Sequence, residues 1–393
     1  MQDIGYYPFQ DLLSNQSLIV PDPAKGQYQP GSVDLRFGAK AWCVSTSFVP
    51  NGKESVEELA KKFLLHPEFE LREDVSNTLM YGNTYIVELL EQLQLKPIEF
   101  AASNPKSSTG RADELTFILA DGIPKKDYFT DDSSQLRKLY IEFTPQTWHT
   151  GVRKGTAVSQ IRLGRGNPML NEKALYMLHT LSPILFDRHG TPVAKEDINL
   201  VDGGVELTLD LQSDIVAYRA KKGSHLIYEL AAQRGELASR ANEFWEPIER
   251  PASGELTLEK DSFYLLATNE RVAFPPPVCG TLNMHHVQAF HGVTHYAGFF
   301  DIGFGMGSRD DKYANSARGT AGTLEVRVFG TPVRFRHGQK IAVMRYELMR
   351  DMPRDADGNS LLYGQGQFGT NYFLQSAGPT LPKQFLTVKA ERR

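Results

Sequence analysis

Short runs of alternating apolar and polar residues, cut apart by Gly and Pro, limit what this chain can fold into, and they return a second time in the same order. In Gly31–Gly38, Val33, Leu35 and Phe37 alternate with Ser32, Asp34 and Arg36, the period of a strand with one apolar face. Gly203–Leu211 repeats that alternation. Later in the first half come Glu91–Pro97, a strand at Leu139–Phe143, and a Gly turn with its strand across Trp148–Ile161. The second half answers with Asn269–Pro276, Glu325–Phe329 and Arg336–Val343. One order of elements used twice is the mark of a tandem duplication. Short strands with few helices speak against βαβ units and for a mainly β fold, two tandem barrel or jelly-roll modules with short helical insertions. The expected division is 1–165 for the first module and 198–393 for the second. The connection, 166–197, is punctuated by Asn167-Pro168, Ser182-Pro183 and Gly190-Thr191-Pro192.

Helices enter as exceptions. Ser55 and Glu58 form a capping-box pair, and Val56, Leu59, Phe63 and Leu64 give the following helix an apolar face. Ser224–Trp245 reads as a helical insertion, with Leu226, Leu230, Leu237 and Phe244 as core contacts.

Composition narrows the function classes. At 393 residues the chain exceeds one typical core. A net charge of -4 leaves no footprint for gripping nucleic acid through its phosphates. A small anion needs only a local cluster of donors. Cys43 and Cys279 lie far apart and make neither a disulfide framework nor zinc-ligand spacing. Met1–Gly5 carries no signal-peptide features, and no apolar run is long enough for a membrane span, so a cytoplasmic protein is expected.

Two places invite chemistry. Lys106-Ser107-Ser108-Thr109-Gly110-Arg111 is a polar turn with adjacent hydroxyls between cations, and Glu142 is a lone carboxylate in the apolar strand Leu139–Phe143. Laying the halves over one another puts His285, His286 and Phe290 opposite Lys106, Ser107 and Arg111, and Arg327 opposite Glu142. On that overlay the second copy has lost the constellation. His285, His286, His291 and His295 raise a metal reading, but Gly292 and Gly298 disfavour a helix there and no nearby Cys or Glu completes a site. A polar, histidine-lined loop is expected.

With these residues in view, the chain resembles the dCTP deaminases of the dUTPase-like superfamily, in their long two-repeat bacterial form. The resemblance is carried by Gln29–Gly38, Leu93–Arg111, Leu139–Gln160, the Phe299–Gly305 hairpin and Asn371–Thr380. It departs at Lys106, where the family has Arg, and at Asn371, where it has Lys. The resemblance implies two dUTPase-like modules and metal-independent hydrolysis of dCTP to dUTP and ammonia, a step in dTTP supply. It implies Glu142 as proton shuttle, with Ser107 and Arg111 holding water beside it. Lys106 and Ser108 would meet phosphates, Tyr372 and Gln375 would close over them, and Asp301 would contact the sugar. The stretch before Glu142 lacks the family's hairpin pattern and offers Asp132 in its place. Mg2+ would arrive on the triphosphate, and the assembly would be a trimer-based homo-oligomer with sites between subunits; whether dTTP feeds back as an inhibitor is left open by the sequence. Neither nucleic acid nor membrane is expected as a partner.

Deamination at C4 of cytosine needs an activated water, a proton on N3 and another on the departing amine. Zinc deaminases join H-x-E to P-C-x-x-C, a signature that two distant cysteines cannot complete. One carboxylate in a partly desolvated site must then carry every proton. The rival activities are a dUTP pyrophosphatase, or a bifunctional enzyme using Asp132 or Asp301 to activate water near the α-phosphate. A catalytically silent nucleotide-binding regulator is the alternative of another class.

Overall fold

The computed structural model describes residues 4–223, 225–284, 297–306, 319–363, 372 and 378–386. The first module is laid out along one antiparallel path: Glu114–Ala120, Arg137–Pro145, Thr84–Leu93, Val33–Val44, Ala157–Arg165, Glu99–Pro105 and Tyr128–Thr130. The second repeats it in two pieces. Gly204–Thr208, Lys340–Leu348, Val278–Met284 and Phe299–Phe300 follow one another as Val33–Val44 and its three followers do, and Thr320–Val328 lies on Ser262–Val272 as Arg137–Pro145 lies on Thr84–Leu93. The mainly β, two-module architecture is therefore as expected.

The duplication is accurate to single residues. Ala157 faces Arg36 and Ser159 faces Leu35 across a bulge; Lys340 faces Thr208 and Ala342 faces Leu207 across the matching one. Bulges re-aim a strand locally, so both modules turn the same residues toward the same place.

Alternation in Val33–Val44 does not mean a wet face. Asp34 and Arg36 are buried, and Arg36 Nε meets Glu91 Oε1 at 2.8 Å. The polar side of this strand is an internal network. The Val56–Lys62 helix carries its capping box, Ser55 with Glu58, and buries Val56, Leu59 and Ala60.

The expected helical insertion is mostly something else. Ser224–Trp245 holds a strand at Ile227–Glu229, a 3-10 turn at Ala238–Arg240 and a single helical turn at Ala241–Phe244. Gly235 adopts φ +83 between the apolar positions, a conformation no helix interior contains. Leu226, Leu230, Leu237 and Phe244 are buried, yet in the core of the first module. There Trp148 meets Phe244 and Trp245 edge-on, each at 5.1 Å between ring centroids. Ile227–Glu229 also pairs in parallel with His149–Val152. The second module thus builds part of the first module's interior. Within 166–197, the Glu172–Leu181 helix and the Leu185–Phe186 strand pack on the second core through Leu175, Ile184 and Leu185. Among the described residues no helix is long and apolar enough to cross a membrane.

Candidate active site

The polar turn is held from three sides. Lys106, in extended backbone conformation, precedes one helical turn, Ser107–Gly110. Its ammonium pairs with the buried Asp34 carboxylate. Burial pushes Asp34 above the usual carboxylate range, and Lys106 works against that rise. Thr109 Oγ1 donates to Val158 O at 2.8 Å, and Tyr228 Oη donates to Ser108 O at 3.2 Å. Arg111 closes the turn. Its guanidinium lies 3.8 Å from the Tyr372 ring centroid, and Nη1 donates to Thr380 O at 2.9 Å. The C-terminal segment is drawn to the turn by a cation–π contact and a charged hydrogen bond.

The acid that faces this turn comes from the other module. In Thr320–Val328, Leu324 and Val326 are buried in the second core; the two-residue period of a strand sends Glu325 to the opposite face. Glu325 is 1% exposed, and Ala297 N donates to its Oε2 at 2.6 Å. Gly110 makes the approach possible. A Cβ there would stand 2.5 Å from Glu325 Oε2 and 2.9 Å from Ala297 Cβ. Beside them, Gly298 N donates to Asn104 Oδ1. Arg162 of the first module, fully buried, donates through Nη2 to Phe300 O at 2.8 Å and to Asp301 Oδ1 at 3.3 Å. The cavity enclosed by these elements is lined by side chains of both modules.

Of the residues singled out in the sequence, Lys106, Ser107, Ser108, Arg111, Asp301 and Tyr372 line this cavity. Glu142 does not. It sits in Arg137–Pro145, 4% exposed, with Oε2 accepting from Lys126 Nζ at 2.7 Å and Ser47 Oγ at 3.0 Å. Asp132 is exposed in the turn after Tyr128–Thr130. Phe129 faces Ala101 as Phe300 faces Gly280, so Thr130 holds the place that corresponds to Asp301. Gln375, His285, His286, His291 and His295 lie outside the described residues.

Among the lining residues that the sequence reading did not single out are two ionisable ones, Glu325 and Lys383. A signal for Glu325 was available. The interval from Glu142 to the turn glycine Gly155 equals that from Glu325 to Gly338, and both glycines have positive φ. Placing Arg327 opposite Glu142 is a slip of one strand period. Arg327 is instead buried in an ion pair with Asp113.

Comparison with curated protein sequences gives no match. A family model for the 2'-deoxycytidine 5'-triphosphate deaminase N-terminal domain matches residues 8–167, and one for the C-terminal domain of the same enzymes matches residues 175–385. Among solved structures, the chain is similar to the 2'-deoxycytidine 5'-triphosphate deaminase from Agrobacterium tumefaciens. The identity is 30%, with 91% of this chain and 99% of that chain covered and a TM-score of 0.79. With both halves matched in order and the whole length of a solved relative followed, this chain belongs to the dCTP deaminase family.

Proposed function

We propose that the chain hydrolyses dCTP to dUTP and ammonia, with Glu325 rather than Glu142 as the proton shuttle and no metal in the chemical step. The observation that carries this is the meeting of Glu325 with the Ser107–Arg111 turn across the bare Cα of Gly110. A hydroxyl, a guanidinium and a buried carboxylate stand around one space. That set can hold a water, take its proton and steady developing charge.

Ser107 and Glu325 orient a water against C4 of the cytosine. As oxygen bonds to C4, Glu325 takes a proton from the water and passes it to N3. The tetrahedral carbon then gives its remaining hydroxyl proton to Glu325, which delivers it to the amine. The C4–N bond breaks, ammonia leaves and N3 keeps its proton, so dCTP and water become dUTP and ammonia. The proton work falls to Glu325 because it is the lining carboxylate packed against the Ser107–Arg111 turn, at Gly110. Mg2+ enters as part of the substrate, on the triphosphate.

The test is ammonia release from dCTP by the purified protein and by Glu325→Gln. Wild-type turnover with loss in the variant, while dCTP still binds, supports the reading; a variant that still turns over overturns the assignment. Asp301 in the same cavity keeps the bifunctional reading in play. Pyrophosphate release from dUTP, scored separately, identifies it.

A further inference from the structure

Lys383 opens the 3-10 turn Lys383–Phe385, near the end of the described chain. That turn is fixed at several points. The Phe385 ring is buried in the first module's core, 5.2 Å from the Phe244 ring and 5.9 Å from that of Tyr228. Gln384 Nε2 donates to Leu230 O at 3.1 Å, and Lys383 O accepts from Gly235 N at 3.1 Å. Lys383 N donates to Tyr372 Oη at 3.0 Å, which ties the turn to the ring beneath Arg111.

From this fixed backbone the Lys383 side chain lines the cavity shared by Ser107, Arg111 and Glu325. Its situation differs from that of Lys106. Lys106 has Asp34 as a close counter-ion, whereas Lys383 forms no ion pair with any described residue. Burial and the neighbouring Lys106 push the Lys383 ammonium below the usual lysine range; Arg234 acts in the same direction and Asp34 against it. Lys106 and Lys383 repel one another across this wall, and an anion entering between them would relieve that repulsion and give Lys383 a partner of its own.

We propose that Lys383 is a binding residue for the nucleotide triphosphate, holding its outer phosphates opposite Lys106. This rests on the reading of the cavity as a nucleotide site, and it assigns the triphosphate to the end where Lys106 and Lys383 stand. Phosphate chain length, rather than the base, is then what Lys383 reads.

The experiment uses the full-length protein with Lys383→Met and Lys383→Arg. A lost charge-assisted contact should raise KM for dCTP about 30-fold in Lys383→Met, with kcat nearly unchanged. Lys383→Arg should recover most of that loss. Turnover of dCMP, which lacks the outer phosphates, should fall far less in Lys383→Met than turnover of dCTP. An unchanged KM for dCTP overturns the proposal. So does an equal loss with dCMP, since that marks a displaced segment rather than a missing phosphate contact. Equilibrium binding of inorganic tripolyphosphate, measured on the same proteins, does not depend on deamination. Binding about 30-fold weaker in Lys383→Met supports the proposal even if dCTP proves not to be the substrate. Equal binding, or none by wild type, removes it. Absence of ammonia from dCTP with wild type, by contrast, sinks the proposed function alone.

Discussion

The two modules carry the same acid at the same place in their strands, and treat it in opposite ways. Counting back two residues from the paired strands Tyr128–Thr130 and Phe299–Phe300 gives Lys126 in the first module and Ala297 in the second. In the first, the Lys126 side chain reaches Glu142 Oε2 at 2.7 Å. In the second, a backbone N–H meets Glu325 Oε2 at 2.6 Å, and the alanine side chain ends at Cβ. One substitution therefore decides whether this position offers the acid a side-chain ammonium, as Lys126 does, or only a backbone N–H, as Ala297 does. A duplicated fold can keep both acids buried and still place only one beside the cavity that the two modules share.

The comparison can be broken most sharply at the acid that faces the cavity. Glu325→Gln should lower kcat for ammonia release by about 10^3-fold or more, as loss of a general acid–base group does, while Glu142→Gln stays within about twofold of wild type by the same steady-state assay. Equal losses in the two variants would remove the distinction. Ala297→Lys should import the first module's arrangement, with the new ammonium pairing Glu325 and cutting kcat/KM for dCTP by about 10^2-fold. Full activity there would show that Lys126 and Ala297 are not equivalent.

Stability separates the ends as well. Lys126→Met strands the Glu142 carboxylate in a buried site and should cost about 2 kcal/mol in urea unfolding, and Lys126→Met with Glu142→Gln should cost less than the single change. Strict additivity would mean that the pair does not interact.

The smallest effect concerns Asp127, next to Lys126. Burial raises its carboxyl to about 6, opposed by hydrogen bonds from Ile118 N and Ser103 Oγ. The folded chain then binds this proton more tightly than the unfolded one. Its contribution to stability is complete below the ordinary value of 3.8 and is lost as pH rises through about 6. Asp127→Asn should flatten that slope by about 1 kcal/mol in denaturation curves between pH 4 and 7, allowing for solvent screening. An unchanged slope would place the titration elsewhere.

Much of this was legible in the residues. Alternation and turn glycines revealed the β modules and their repetition, because a strand's period of two is a local property. The Lys106–Arg111 turn was legible for the same reason, being one short segment. Glu325 was harder, since overlaying two strands by their apolar pattern leaves a shift of two residues unpunished. Only the spacing to Gly155 and Gly338, whose φ values of +84 and +73 pin the turn, removes that freedom. Lys383 had no local signal at all. Its position follows from Phe385 packing into a core built by residues far away in the chain. The insertion was misread because Leu226, Leu230, Leu237 and Phe244 all seek the interior, but from strand and turn rather than from one helical stripe.

Gly110 has a consequence for how the centre behaves when protein is scarce. A single backbone carries both the hydroxyl turn and Glu325, so their mutual concentration is set by folding rather than by protein supply. Thinning the solution cannot pull these two groups apart, as it can when reacting parts sit on molecules that merely touch.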